Sequence, residues 1–326
     1  MSTEQLRREL RGELSAAGLA GSFLVRDLVT GDEAGIDPDT EFPAASLAKL
    51  PLAVAVATRT GDGRLDGAAE IRIMPGQETA SGPAGLSRFR HPARICVDDL
   101  LYLSTSLSDN TAADVLFGLV PPADVEQDMR AAGITGLTVR HRMGTLTRTP
   151  AERFPPGQAH LAHALSIGAR TPGRGHPVPQ LDISRASSGS ARAYADLLQA
   201  LWTPSLIPAG AAARVRSLLA GNVIRHRLAP DFTSDSLTWS SKTGTLLNLR
   251  HEAGVAEHDD GSAYAVVALT ESQVPAAAQP AADWDALFYR YLEARRGGAG
   301  QGEKLGGLVH DVFRFLRHFG RIEAGA

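Results

Sequence analysis

The order of strand-like and helix-like segments constrains the fold of this chain most. Patterns typical of strands lie near the two ends, at residues 22–29, 237–241, 252–258 and 263–270. Helices are predicted at residues 47–59, at 191–202, at 284–295, and in two pieces over 97–118 broken near Ser106–Ser108. An amphipathic helix with Leu6, Leu10 and Leu14 on one face is predicted near the N-terminus. This order predicts an α/β chain of the α+β kind, whose sheet is built from both ends around an inserted helical lobe.

The predicted domain boundaries follow from that order. We expect one catalytic domain over residues 1–296, with a sheet lobe at about 1–45 and 205–296 and a helical lobe at about 46–204. Residues 147–187 are rich in Pro, Gly, Arg and His and predict an extended loop. A Gly-rich linker starts at Gly297, and an amphipathic helix follows to residue 326. We expect this helix to pack on its own body or on a second copy, and a membrane-surface helix is the alternative.

Composition excludes several classes of protein. There are 33 Lys and Arg against 36 Asp and Glu, so the net charge is 33 − 36 = −3, which gives no global attraction to nucleic acid or anionic membrane. The single cysteine, Cys96, excludes an internal disulfide and cysteine-rich metal sites. His160 and His163 lack an evident third ligand, so no metal is expected. No secretory signal or apolar span stands out, and the expected location is the cytoplasm.

The first motif with chemical content is Ser46-Leu-Ala-Lys49 at the predicted start of a helix. Positions i and i+3 share a helix face, so the lysine amine can reach the serine hydroxyl. A serine needs a neighbouring base to become a nucleophile, and a lysine serves only where burial or charge lowers its pKa. The free N–H groups of a helix start, that of Ser46 included, also suit an oxyanion.

Two further motifs follow along the chain. Ser108-Asp-Asn110 offers a hydroxyl that can relay a proton and an amide that can bridge Lys49 and a substrate, although the same residues are typical of a helix cap. Lys242-Thr243-Gly244-Thr245 ends a predicted strand. There, a cation can attract a carboxylate, glycine permits close approach, and the Thr245 N–H can serve an oxyanion.

Together the three motifs resemble those of class A β-lactamases and penicillin-binding proteins. The first two lie 108 − 46 = 62 residues apart and the third 242 − 108 = 134 further on. The resemblance implies an antiparallel sheet with flanking terminal helices and an inserted helical lobe. It also implies the following catalytic residues: Ser46 as nucleophile, Lys49 as base or proton relay, Ser108 as proton shuttle, and Lys242, which also attracts the substrate carboxylate. The substrate-binding residues that go with them are Asn110 as orienting group, Thr243, Gly244 and Thr245 at the substrate carboxylate and oxyanion, and Arg250, with His251 second, at the carboxylate.

One family feature is missing. Class A β-lactamases carry Glu-x-x-Leu-Asn after the helical lobe, and that glutamate activates the water that releases the acyl group. The best local register here is Met143-Gly-Thr-Leu-Thr147, with methionine in place of the glutamate. Glu152 is nearby but fits no family pattern. We therefore expect inefficient lactam hydrolysis.

These observations predict a serine hydrolase or acyltransferase that acts on a small amide, lactam or ester, expected to bear a carboxylate, through an acyl-Ser46 intermediate. No cofactor and no nucleic-acid partner are expected, membrane contact is not favoured, and a homo-oligomer through the C-terminal helix is possible. Two alternatives stay open. An amine acceptor would make the protein a transacylase that forms amides in natural-product biosynthesis, and a protein without turnover would be a ligand-binding one on the same fold.

Overall fold

The structure is a computed structural model that describes residues 3–75, 80, 82–149, 160–168, 173–232 and 236–274. Within these ranges the side chains of residues 3–6, 160, 163 and 231 are not described. The predicted helix at 284–295, the Gly-rich linker, the C-terminal helix and Glu152 lie outside the described residues. The same holds for the side chains of His160 and His163.

A five-stranded antiparallel sheet forms the centre of the molecule. Its strands are β1 (Leu19–Asp27), β2 (Glu33–Ile36), β8 (Leu237–Leu246), β9 (Leu249–His258) and β10 (Ala263–Ser272). Their spatial order is β2-β1-β10-β9-β8, so the two N-terminal strands pair with the C-terminal hairpins through β1 and β10. The predicted fold class, an α+β protein with an antiparallel sheet, is confirmed. β8 lies at the edge of this sheet, which leaves one side of its backbone available to a ligand.

Helices surround the sheet and fill the middle of the chain. In order they are α1 (Thr3–Ala16), α2 (Lys49–Gly61), α3 (Val97–Ser106), α4 (Asn110–Leu119), α5 (Pro122–Ala131), α6 (Met143–Leu146), α7 (His160–Gly168), α8 (Ala191–Trp202), α9 (Ala209–Ala220) and α10 (Ala229–Phe232). The described part contains no helix with the length and apolar composition needed to cross a bilayer.

Two apolar clusters pack on the sheet. The larger surrounds α2, which is buried along most of its length because its residues are almost all aliphatic. The smaller lies under α1 and includes Trp239 stacked on Phe232. Burying an aliphatic side chain contributes about 1.5–3 kcal/mol, so α2 is a principal anchor of the fold. The start of α2 is thereby fixed relative to the sheet.

Short strands complete the framework. β3 (Glu41–Pro43), β7 (Ser188–Ser190) and β6 (Leu137–Thr138) form one small sheet, and β4 (Glu70–Ile73) pairs with β5 (Ala93–Cys96). Because β3 leads directly into the turn that carries Ser46, its pairing with β7 fixes the entry to α2.

The extended loop predicted at 147–187 is regular in part. It contains α7, whose sequence His-Leu-Ala-His-Ala-Leu-Ser-Ile-Gly has helix formers and an apolar period that the surrounding prolines and glycines obscured. α5 and α9 also form without having been predicted. The proline at the first turn of α5 and the preceding Pro208 of α9 mark their starts.

Candidate active site

Ser46 lies on a 3₁₀ turn, Ala45–Ala48, that runs directly into α2. The residue before it, Ala45, has a positive φ of 47°, which costs a non-glycine residue energy and is kept only where the surroundings enforce it. Ser46 is partly exposed, whereas its neighbours Leu47 and Ala48 are buried. The hydroxyl is therefore presented at the surface of an otherwise closed turn.

The amine of Lys49 is buried and lies at the centre of a hydrogen-bond cluster. Nζ is 3.4 Å from Ser46 Oγ, 3.2 Å from Ser108 Oγ, 2.5 Å from the Ser108 carbonyl and 2.7 Å from Asn110 Oδ1. One turn of helix places Lys49 beside Ser46, as their spacing predicts. The structure thus brings together the first two motifs, which are 62 residues apart.

Burial changes the acidity of this lysine. Removal from water lowers the pKa of Lys49 from 10.5 to about 7, and the negative charges of Asp109 and Asp114 oppose that shift. An amine with this pKa exists in substantial part as the neutral base near neutral pH. It can therefore accept the proton of Ser46 as a general base must.

The third motif, on strand β8, contributes Lys242 to the cluster around Lys49 and Ser108. Nζ of Lys242, buried on β8, donates to Ser108 Oγ at 2.8 Å and to the Thr243 carbonyl at 3.1 Å. Burial, with Lys49 and Arg227 nearby, lowers the pKa of Lys242 well below its usual value. Ser108 itself has a positive φ of 60°, which aims its hydroxyl between the two amines. A proton can pass from Lys49 through Ser108 to a leaving group.

Asp109 fixes this segment. Its carboxylate caps α4 by accepting from the N–H groups of Thr111 and Ala112, and it also accepts from the N–H of Leu86 at 2.5 Å. The capping interpretation of this motif and the catalytic one are thus both compatible with the geometry, because Asp109 caps while Ser108 and Asn110 face Lys49.

The β8 edge closes the site on one side. A Cβ on Gly244 would lie 3.1 Å from the Ala44 carbonyl, so a larger residue would push β8 slightly away from the turn that carries Ser46. Thr243 is buried and Thr245 is exposed beside it. Their backbone lies along the open side of the sheet, where an extended substrate would pair.

Arg227 is the guanidinium that the structure brings to this edge. It is buried and donates to the carbonyls of Gly244 at 3.0 Å and His251 at 2.5 Å, and it also contacts the Thr245 hydroxyl. Burial lowers the pKa of Arg227 to about 10. Arg250 instead donates to the carbonyls of Leu247 and Leu249 at the hairpin. Arg227 belongs to no motif, so no sequence pattern pointed to it.

Two buried titratable groups behind the edge are structural. His251 donates from Nε2 to the Pro43 carbonyl at 3.0 Å and accepts at Nδ1 from the Thr270 N–H at 3.1 Å. Burial lowers its pKa to about 3, so the ring is neutral. Glu252 accepts from Ser241 Oγ, Trp239 Nε1 and the Leu228 N–H, and burial raises its pKa. These bonds hold β9 against β3 and against the segment that carries Arg227.

Met143, which the sequence register predicts in place of the family's glutamate, is 1% exposed and packs in the main apolar cluster. The carboxylate of Asp114 accepts from the N–H of Met143 at 2.5 Å and from that of Gly144 at 2.7 Å, and so caps α6. Burial raises the pKa of Asp114. α6 is therefore held near Lys49 by a carboxylate on α4, but its first side chain offers no base. Nor do the described residues gather three potential metal ligands anywhere.

Comparison with known proteins settles the family. A profile described as the β-lactamase enzyme family matches residues 4–284. The chain belongs to the β-lactamase enzyme family. A curated relative, the β-lactamase regulatory protein BlaB of Streptomyces cacaoi, is 62% identical over 294 residues, which are 87% of this chain and 94% of that protein.

Several solved structures share the fold. A β-lactamase from Sphaerobacter thermophilus has a TM-score of 0.67 at 18% identity, covering 99% of this chain and 98% of its own. A Leu-to-Glu mutant of PBP-A, solved as its acyl-enzyme with penicillin G, has a TM-score of 0.65 at 16% identity and covers 98% and 97%. The resemblance on which the motifs were interpreted is confirmed. The roles of the individual residues stay predictions.

Proposed function

We propose that this β-lactamase family member is a serine acyl-transfer enzyme that forms a long-lived acyl-Ser46 intermediate with a small amide, lactam or ester. The observation that carries the proposal is the Lys49 amine, which is buried and within hydrogen-bond reach of Ser46, Ser108 and Asn110. These contacts supply a base for the attack and a route for the proton to the leaving group.

A carboxylate on the substrate fits the charge of the site. Lys242 and Arg227 lie behind the β8 edge, and Thr243 and Thr245 lie on that strand, with the Thr245 hydroxyl in contact with Arg227. Arg227 is the better candidate than Arg250, because its guanidinium touches Thr245 whereas Arg250 donates to two hairpin carbonyls. A substrate carboxylate at this edge would pair with the buried cations Lys242 and Arg227, which have lost their contact with water.

Release of the acyl group is the weak step in this proposal. Met143 occupies the position of the family's water-activating glutamate and packs among apolar side chains. Loss of a general base typically slows the assisted step by ~10²–10⁴-fold. The acceptor is then a slowly activated water or an incoming amine. An amine acceptor is the transacylase form of this proposal.

A regulatory role is a second candidate, supported by the 62% identical relative that is named a β-lactamase regulatory protein. A regulator does not need turnover, and a persistent acyl or bound state would serve as its signal. In its non-covalent form, this candidate is the ligand-binding protein without catalysis.

The experiment is intact-protein mass spectrometry after incubation with penicillins, other lactams and activated esters. The wild-type chain should gain the mass of the opened lactam or the acyl group, and Ser46→Ala should gain none while keeping its melting temperature. Lys49→Ala should acylate far more slowly. An adduct retained by Ser46→Ala would contradict the assignment of the nucleophile. Reversible binding without any adduct across the panel would favour the non-covalent regulator.

A further inference from the structure

The net charge of −3 conceals a strong segregation of charge. Residues 140–185 contain seven arginines and two acids, so this stretch carries 7 − 2 = +5 and the rest of the chain −3 − 5 = −8. Five of the arginines are described, and all five side chains are exposed: Arg140, Arg142, Arg148, Arg174 and Arg185. We call these five the arginine surface. Among the described residues none of them forms a salt bridge within 4.0 Å, although Arg142 interacts with the carboxylate of Asp114 and Arg185 with that of Asp182.

Hydrogen bonds bring Arg140 and Arg185, at one end of the arginine surface, close together. Nε of Arg140 donates to the Ala186 carbonyl at 3.1 Å, and the Arg140 N–H donates to Ser187 Oγ at 3.0 Å. Arg185 is the residue before Ala186, so the two arginines are neighbours in space although 45 residues apart. The acid of this segment that the structure describes, Asp182, is buried and accepts from Ser184.

Hydrogen bonds also bring Arg148 and Arg174, at the other end of the arginine surface, to the same loop. Nε2 of Gln180 donates to the Arg148 carbonyl at 2.9 Å, which brings the two segments together. The Ile183 N–H donates to the Gly173 carbonyl at 2.8 Å, which places Arg174 beside the same loop. Four of the five arginines therefore extend from one hydrogen-bonded loop, and Arg142 follows Arg140 by two residues.

Exposed leucines border this loop. α7 is joined to it by a 3.0 Å hydrogen bond from His176 Nε2 to the Ser166 carbonyl, and it buries Ala162 against the loop. Its opposite face leaves Leu161 41% and Leu165 44% exposed, one turn apart. An exposed cationic surface with few acids nearby and apolar side chains at its border is typical of peripheral attachment to an anionic bilayer.

We propose that the arginine surface, with Leu161 and Leu165, is a docking site for the anionic headgroups of a lipid bilayer. This proposal goes beyond the acyl-transfer function and does not depend on it. It replaces the expectation from net charge that membrane contact is not favoured, since surface attraction depends on the local charge within about 8–10 Å.

The sequence favours lipid over other polyanions. The phosphates of a nucleic acid would bind the arginines, but a nucleic acid would not account for the exposed leucines. An acidic protein segment with apolar residues could contact both the arginines and the leucines. The C-terminal stretch, however, carries a second set of arginines and apolar residues, and stable attachment to a bilayer takes two such membrane-binding elements. That stretch carries Leu305, Leu308, Val309, Val312, Leu316 and Phe319 together with Arg314, Arg317 and Arg321.

The test is flotation of the full chain with vesicles of equal parts phosphatidylglycerol and phosphatidylcholine, compared with pure phosphatidylcholine. Binding should require the anionic lipid and fall steeply with salt. Reversal of three arginines, Arg148→Glu, Arg174→Glu and Arg185→Glu, should weaken binding by at least about tenfold. The matched control reverses three exposed arginines elsewhere, Arg72→Glu, Arg90→Glu and Arg214→Glu, and should retain most of the binding.

A second variant tests the apolar component. Leu161→Asn with Leu165→Asn keeps the charge and should weaken binding several-fold at all salt concentrations. Circular dichroism verifies the fold of each variant, and Ser46→Ala should bind vesicles like wild type, which separates this proposal from the acyl-transfer one. Equal loss in the test and control triple variants, or binding to pure phosphatidylcholine, would overturn the proposal. So would preference for duplex DNA or an acidic peptide over the vesicles.

Discussion

Nζ of Lys242 lies 2.8 Å from Oγ of Ser108, so a residue of the edge strand and a residue of the helical layer meet in one hydrogen bond. The same hydroxyl receives a bond from Lys49 at 3.2 Å. Ser108 is therefore shared by two buried amines, and the charge of Lys49 makes the charged form of Lys242 less favourable. Burial, which lowers the pKa of Lys49 to about 7, is what leaves that amine available as a base.

Acylation of Ser46 should depend on pH through Lys49. The pKa of this lysine is about 7, and its neutral form is the base, so the acylation rate should rise as pH increases through about 7 and then level off. The measurement is the initial rate of adduct formation by mass spectrometry from about pH 5 to about pH 9. Lys49→Arg should lose the rise together with most of the rate. A rate that falls with increasing pH would assign the base role elsewhere.

Removing the charge of Asp114 should move this pH profile. Its carboxylate raises the pKa of Lys49, so Asp114→Asn should shift the midpoint of acylation to lower pH. Acylation at acidic pH should then become faster, unless loss of the bonds to Met143 and Gly144 unfolds α6. The control is Asp124→Asn on the exposed side of α5, which should leave the midpoint in place. A profile identical in both variants would show that Asp114 only caps α6.

The carboxylate contact should depend on Arg227 more than on Arg250. Arg227→Lys should slow acylation by a penicillin about tenfold or more, because a lysine cannot reproduce the fork of bonds to Gly244, His251 and Thr245. Acylation by the methyl ester of the same penicillin should change little. Arg250→Ala should affect neither compound strongly. Equal losses for acid and ester would mean that Arg227 supports the β8 edge without meeting the carboxylate.

Restoring a carboxyl group at residue 143 should speed release of the acyl group. Met143→Glu introduces a base at the position that the sequence register predicts for the family's glutamate, and a gain of ~10²-fold or more in deacylation is expected. Because residue 143 is buried, the variant should also be less stable, and Met143→Gln controls for burying a polar group without a base. The readout is the decay of isolated acyl-enzyme. Equal decay in the two variants would show that residue 143 does not face the acyl group.

Local chemistry made the main elements predictable from the sequence. The apolar run of α2, the break at Ser106–Ser108 between α3 and α4, and the strands of β8 to β10 depend on propensities and capping that neighbouring residues determine. The same holds for Ser46 and Lys49, since their proximity requires only one turn of helix. Sequence alone thus located the first motif within the structure.

Long-range packing accounts for what the sequence did not predict. Arg227 reaches the β8 edge because Glu252 and the sheet hold its segment there, and no local pattern encodes that approach. α7 formed within a stretch rich in Pro and Gly because its apolar face packs on the following loop. The arginine surface likewise emerges only when residues 140–148 and 173–185 are joined by hydrogen bonds.

The persistence of the acyl group on Ser46 tests the central claim most directly. The wild-type chain is mixed with a penicillin, and its intact mass is followed over time, with and without an added amine. The account predicts rapid gain of one adduct followed by slow decay, since Lys49 serves acylation and Met143 cannot serve release. Multiple rapid turnovers with no detectable adduct would contradict it, because some other residue would then be acting as an efficient deacylation base.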